Sequence, residues 1–294
     1  MTDAPIPYVE RTRAYYAALG YSAPYRWAQF EDVPFRRLAK PLAESRVALV
    51  TTAAPWRDGD PAPDGTYRAA AKFASVYSET TARDPVLRID HVAIDFTHTT
   101  GRDQGAFLPL AALRRAAAAG RIGGITSNFH GVPTNRSQRH TLAVDAPELL
   151  RRLQAEGADA AVLVPNCPVC HQSLALMARH LEESGIATVI MGAARDVVEH
   201  VGVPRFLFSD FPLGNAAGRP GDVASQDLTL GLALDLLEQA TAARATWQSP
   251  LVWSDDPSWK RDYGKTEGLT PEEIARRRAE FDAGKEIAKA MRGA

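Results

Sequence analysis

Cys167 and Cys170 are the two cysteines of this 294-residue chain, set in Asn166-Cys167-Pro168-Val169-Cys170-His171. At that spacing one sulfur can attack a substrate and the other can resolve the intermediate as a disulfide. The preceding segment, ADAAVLV (158–164), predicts a buried strand, and 172–184 predicts a helix. A thiol between strand end and helix start is easily ionised, because helix N-terminal N–H groups and the macrodipole favour the anion. Pro168 suits an early helical position, where its missing N–H needs no partner. Other readings of the string are weaker. A structural zinc site needs four closed ligands, and no second C-x-x-C accompanies the pair. C-P-V-C-H matches the haem c attachment pattern, but that needs export. The N-terminus, MTDAPIPYVERTR, has no apolar signal core. A thioredoxin-like site would follow an early strand of a small domain, whereas this pair lies past the chain's middle.

The other candidates surround the pair. His171 and His130 are the expected general acids or thiolate partners; His91 and His98 fall in or beside strand-end segments. His91 and Asp95 are four apart and would share one strand face. Asn128, Asn166, Gln172, Asp210, Arg219, His91 and His98 are the candidate substrate-binding residues. Arg219 belongs to a Gly/Pro-rich loop, 210–222, and either forks onto a substrate carboxylate or ties the loop down. That loop holds G-x-x-x-G, with neither a dinucleotide fingerprint nor a P-loop.

The elements that must position these residues read as an α/β chain. A helix is expected around 8–19 in an aromatic N-terminal arm (1–45). Strands are expected at 46–52, 86–96, 122–126, 158–164, 186–191 and 205–209, with a long Pro/Gly/Asp-rich loop at 54–68. Helices are expected at 108–119, from an Asp145 cap to 156, and at 172–184, 193–200 and 223–243. Residues 127–131 read as a polar loop. Alternating strands and helices predict a Rossmann- or flavodoxin-like parallel sheet with helices on both faces. The α/β region is 46–245, divisible at 144/145, and the C-terminal arm and helix are 246–294. Ligands of such sheets bind at the strands' carboxyl ends. There Thr51-Thr52, Asn128/His130, Cys167/Cys170 and Asp210 would converge. The aromatic arm reads as packed on the body or on a second subunit, and the C-terminal arm and helix, with a capping box at Thr270 and Glu273, suggest wrapping around a neighbouring subunit in a homodimer or larger homo-oligomer.

Composition narrows the class. Apolar content of 45%, charged content of 23% and a formal charge of −1 describe an ordinary globular chain with no basic footprint for nucleic acid. Arg114-Arg115 and Arg276-Arg277-Arg278 sit beside acids and read as solvated helix faces. No apolar run is long enough to span a bilayer. The expected compartment is the cytoplasm, where the thiols would rest reduced and cycle.

The segment VLVPNCPVCHQSLALMARHLEESGIATVIM resembles the selenocysteine region of the B components of glycine, sarcosine, betaine and D-proline reductases. VPRFLFSDFPLGNAAGRPGD resembles the strand and loop that follow it. YVERTRAYYAALGY, RWAQFEDVPF, WSDDPSWKRDYG and TPEEIARRRAEFD resemble the ends of stand-alone members, so the likeness covers most of the chain. It implies that Cys167 stands in the selenocysteine position and that Cys170 resolves. It also implies reductive C–N cleavage, with an external dithiol restoring the pair and no bound cofactor. Sulfur replaces selenium here, giving a weaker and less ionised nucleophile. The resemblance also implies a pyruvoyl-bearing partner subunit or a tightly associated complex, and this chain shows no processing site of that kind. The expected function is therefore a thiol-dependent reductase that cleaves a C–N or C–S bond in a small amino-acid-like or heterocyclic substrate. The alternatives are a metal-dependent lyase or hydrolase built on the Cys/His cluster, and a non-catalytic redox subunit.

Overall fold

The computed structural model describes residues 4–56, 73–89, 93–134, 137–264 and 266–293. The sheet strands are β1 (Arg46–Thr51), β3 (Tyr77–Thr80), β5 (Gly124–Ile125), β6 (Asn128–Gly131), β7 (Ala160–Val164), β8 (Ala187–Gly192), β9 (Arg205–Phe208) and β10 (Ala245–Gln248); β2 (Ala54–Pro55) and β4 (Leu87–Arg88) form a small antiparallel ribbon. Among the described residues the main sheet runs β10-β9-β8-β7-β1-β6-β3, with β5 also pairing β1. Every pairing in it is parallel except β3 with β6.

Nearly continuous apolar strands are what a sheet covered on both faces requires. Val47 and Leu49 of β1, Val162 and Val164 of β7, and Val189 and Met191 of β8 turn to one face. They pack there against α2 (Leu110–Ala118) and, later in the chain, Val223–Gln239. The alternate residues Ala48, Val50, Ala161, Leu163 and Ile190 turn to the other face. That face is covered by the helix containing α3 (Gln138–His140) and α4 (Ala146–Ala155), by α5 (Pro168–Glu183) and by α6 (Arg195–Val201). The result is the expected mixed α/β architecture, a mostly parallel sheet flanked by helices as in Rossmann- and flavodoxin-like folds.

Several local expectations are corrected. The strand expected over 86–96 is only Leu87–Arg88 at its start, and from residue 93 the chain turns, with the Asp95 carbonyl accepting the N–H groups of His98 and Thr99. The polar loop expected at 127–131 is β6 itself, since Asn128 to Gly131 pair with β3. Asp145 is not a helix cap. The helix opens earlier, at Ser137, whose hydroxyl accepts the His140 N–H, and passes through a π-helical stretch, Thr141–Asp145. A wider turn there accommodates Pro147, whose ring would crowd a carbonyl of the preceding α-turn. The helix after the cysteines begins at Pro168 rather than 172. The long helix α7 (Val223–Gln239) ends before 243, and β10 adds an edge strand that the aromatic tail concealed.

Both chain ends pack on their own chain. Ile6 and Tyr8 at the start of α1 (Tyr8–Ala18) join Ala193, Val197, Leu213 and Trp259 in a third apolar cluster, Trp259 opening the short α8 (Trp259–Asp262). Phe281, in α9 (Pro271–Gly293), lies against the rings of Tyr16 and Tyr21 at 5.1 and 5.4 Å. Among the described residues no helix is long and apolar enough to cross a membrane.

Candidate active site

The turn from β7 into α5 fixes the cysteines. Cys167 is the N-cap of α5, and its sulfur accepts the backbone N–H of Cys170 at 3.3 Å. Pro168 occupies the first helical position. The two sulfurs form a disulfide across a Cα–Cα distance of 4.9 Å, so the pair stands oxidised here rather than reduced. When reduced, a thiolate on Cys167 would face the helix N-terminus and the Cys170 N–H, the arrangement that lowers a thiol's pKa.

The two sulfurs have different surroundings. Cys170 accepts a hydrogen bond from the Thr134 hydroxyl at 3.1 Å. Cys167, with Pro168 and Val169, lines a cavity of about 350 Å³. The cavity's other walls come from α1 (Arg11, Thr12, Tyr15, Tyr16), from 93–97 including Asp95, and from Asp262, Tyr263, Gly264 and Arg277. Two guanidinium groups and two carboxyl groups thus share a space with Cys167. Arg11 is held by the carbonyl of Tyr263 at 2.6 Å, and Arg277 is held by Glu273. Asp95 is 4% exposed, and both its oxygens lie about 3 Å from His98 Nδ1. Burial pushes the Asp95 carboxyl above its ordinary range, against the opposing His98 hydrogen bond.

His98 is not itself a lining residue, but its Nε2 lies 3.6 Å from Asp262, which is. Asn166 is buried beside Cys167, and its backbone and side-chain N–H groups both reach the Thr52 hydroxyl, at 3.1 and 3.2 Å. This joins the end of β1 to the cysteine turn, as expected for one rim. His171 is fully buried with both nitrogens engaged. Nδ1 donates to the Cys167 carbonyl at 2.7 Å, and Nε2 accepts from the N–H groups of Ala193 and Ala194 at 2.9 and 3.1 Å. Burial lowers its pKa to about 4, against the pull of the Cys167 carbonyl. It holds the helix start to the β8–α6 turn, and no ring nitrogen is left to move a proton.

The remaining candidates lie elsewhere. His130 is buried within β6, where its Nδ1 contacts the Ser78 hydroxyl at 2.8 Å and its Nε2 lies 3.6 Å from Glu156. Burial lowers it to about 4, with Glu156 opposing. Asn128 is clamped to Glu156 by its backbone N–H and its side-chain amide, both at 2.9 Å. Gln172 receives the Ala28 N–H at 2.7 Å and donates to Tyr25, tying the N-terminal arm to α5. Asp210 pairs with Lys260, and Arg219 donates to the Val252 carbonyl, the loop-tying role. His91 lies outside the described residues. Among those residues no three His, Cys, Asp or Glu side chains gather closely enough to hold a metal ion.

Sequence reasoning missed Arg11, Tyr15, Tyr16, Asp95, Tyr263 and Arg277 as cavity residues. Asp95 alone carried a signal: D-x-x-H in Asp95-Phe96-Thr97-His98, the spacing of a carboxylate that folds back on a histidine. The others come from the two chain ends, whose meeting over Cys167 no local pattern announces.

Comparisons with known proteins find reductase subunits among the chain's relatives. The chain is 29% identical over 194 residues to D-proline reductase subunit gamma of Acetoanaerobium sticklandii, covering 64% of this chain and 76% of that protein. It is 24% identical over 209 residues to the glycine reductase complex component B gamma subunits of Peptoclostridium acidaminophilum and Symbiobacterium thermophilum. Those matches cover 67% and 69% of this chain but only 46% and 48% of the two proteins. These homologues are subunits of reductases, consistent with a selenoprotein B-like family. No family model matches the chain, and no solved structure matches it.

Proposed function

We infer that the chain is the thiol-bearing component of a reductase that cleaves the Cα–N bond of a small amino acid, with Cys167 as nucleophile. The observation that carries this reading is the asymmetry of the pair: Cys167 lines a cavity furnished with both cations and carboxylates, and Cys170 does not. A substrate carboxylate has Arg11 or Arg277 to meet, and a substrate amine has Asp262. The Cys167 thiolate attacks Cα, forming a C–S bond as the C–N bond breaks and the amine departs with a proton. The Cys170 thiolate then attacks the Cys167 sulfur. The S–S bond forms, the S–Cα bond breaks, and its electron pair stays on carbon, which takes a proton. The substrate gains two electrons and the cysteines lose two, ending as the disulfide found here. An external dithiol restores the thiols, so no resident redox cofactor is needed. Because the relatives are subunits of reductases, a protein partner that delivers the dithiol is part of the reading, a role that dithiothreitol can fill. The named substrates of those relatives favour C–N over C–S cleavage.

The test uses the whole chain reduced with dithiothreitol and supplied with D-proline or glycine. Ring opening of D-proline exposes a primary amine on the product, and glycine releases ammonia. Turnover is expected in the wild type and lost in Cys167→Ser. Cys170→Ser should accumulate a Cys167 adduct detectable by intact mass. Full turnover in both serine variants overturns the reading.

A further inference from the structure

Among the groups around Cys167, Asp95 is the buried carboxyl, and its surroundings suit a proton donor. It lines the same cavity as Cys167. Its oxygens are 3.0 and 3.1 Å from His98 Nδ1, so a proton can be shared between the two side chains. The His98 ring is itself held. Its backbone N–H donates to the Asp95 carbonyl at 3.0 Å, its Nε2 faces Asp262, and its edge meets the Trp259 ring at a centroid distance of 6.2 Å. The two histidines favoured by spacing do not serve this purpose. His171 has both nitrogens engaged, and His130 lies in β6 on Ser78 and is not among the residues that line the cavity.

We propose that Asp95 protonates the departing amine as Cys167 attacks, and that His98 is the positioning residue that orients and reprotonates it. This rests on the reading of Cys167 as nucleophile. The balance is simple: as the C–N bond breaks, its electron pair goes to nitrogen, nitrogen takes the Asp95 proton, and Asp95 is left as a carboxylate facing His98. The raised proton affinity of Asp95 from burial is in keeping with that role.

The contrast between two leaving groups tests it. Bromoacetate presents Cys167 with a carboxylate and an α-carbon, but its bromide leaves without a proton. In Asp95→Asn, alkylation of reduced Cys167 by bromoacetate should stay within about threefold of wild type. D-proline cleavage should fall by about 100-fold or more, the usual contribution of a general acid. His98→Ala should slow D-proline cleavage while leaving bromoacetate alkylation unmoved, and added imidazole should restore the rate. Wild-type D-proline cleavage by Asp95→Asn overturns the proposal, as does an equal loss of both reactions, which would make Asp95 a mere wall of the cavity. Failure of the wild type itself to cleave D-proline overturns the Cys167 reading and this inference with it.

Discussion

The carbonyl oxygen of Cys167 accepts the Nδ1–H of His171 at 2.7 Å, so the histidine beside the cysteine pair is a strut of the turn that carries it. Its other nitrogen collects two backbone N–H groups of the β8–α6 turn. Gly192 leaves room for it, since a Cβ there would lie 2.8 Å from the ring. His171→Ala should therefore cost about 2–4 kcal/mol of stability by orphaning buried polar groups and opening a void. Gly192→Ala should cost about 1–3 kcal/mol by displacing the ring. Urea unfolding measures both. A His171→Ala variant of wild-type stability but no activity would instead assign the ring to chemistry.

What the sequence made legible follows from period and punctuation. Val47 to Val50 and Ala160 to Val164 are apolar runs of strand length bounded by polar residues, so both central strands and the rim after them could be read directly. Pro168 is compatible with an early helical position, but the helical pattern reads only from 172, so the N-cap role of Cys167 is not legible there. What stayed hidden was nonlocal. Asn128 to Gly131 looks like a loop because its polar residues are satisfied across the sheet, by Glu156 and Ser78. Arg277 looks solvated on its own helix and becomes a cavity residue only because Phe281 docks on Tyr16 and Tyr21.

Glu182 and Arg205 form a fully buried ion pair at 2.9 Å, on which Thr188 and the backbone of Arg36 also converge. Removing one partner leaves an uncompensated buried charge, so Glu182→Ala or Arg205→Met alone should cost about 3–5 kcal/mol. The double variant should be less destabilised than the sum of the two, because the strandedness of each charge disappears with its partner. Additive losses in a double-mutant cycle would mean that the two side chains act independently.

The cavity's roof depends on α9 more than the sheet does. Phe281 holds α9 to α1 and to the segment just after it through two ring contacts, with Tyr16 and Tyr21, each worth about 0.5–1.5 kcal/mol. Phe281→Ala should therefore leave the global urea midpoint nearly unchanged, because among the described residues neither sheet core includes a residue of α9. Local opening should become roughly ten- to hundredfold more frequent. Amide exchange across 271–293 and iodoacetamide labelling of reduced Cys167 should both speed up to that extent. Unchanged labelling would mean that α9 does not gate access to the thiol.

Acid should weaken the fold through its buried histidines. His171 and His130 are both lowered to about 4 from an ordinary 6.5, chiefly by burial. Between those values the unfolded chain takes up protons that the folded chain refuses, so stability rises with pH. Their contribution is complete above pH 6.5 and is lost as pH falls through 4, at most about 3 kcal/mol for each. Glu182, raised to about 6 by burial against the pull of Arg205, acts in the opposite sense: its contribution is complete below pH 4.5 and is lost as pH rises through 6. His130→Asn isolates one term. The stability difference between pH 7 and pH 5, taken from urea unfolding, should be smaller in this variant than in the wild type by about 1–2 kcal/mol. An identical pH dependence in the two proteins would mean that His130 titrates alike folded and unfolded, and that Ser78 and Glu156 hold a ring that water still reaches.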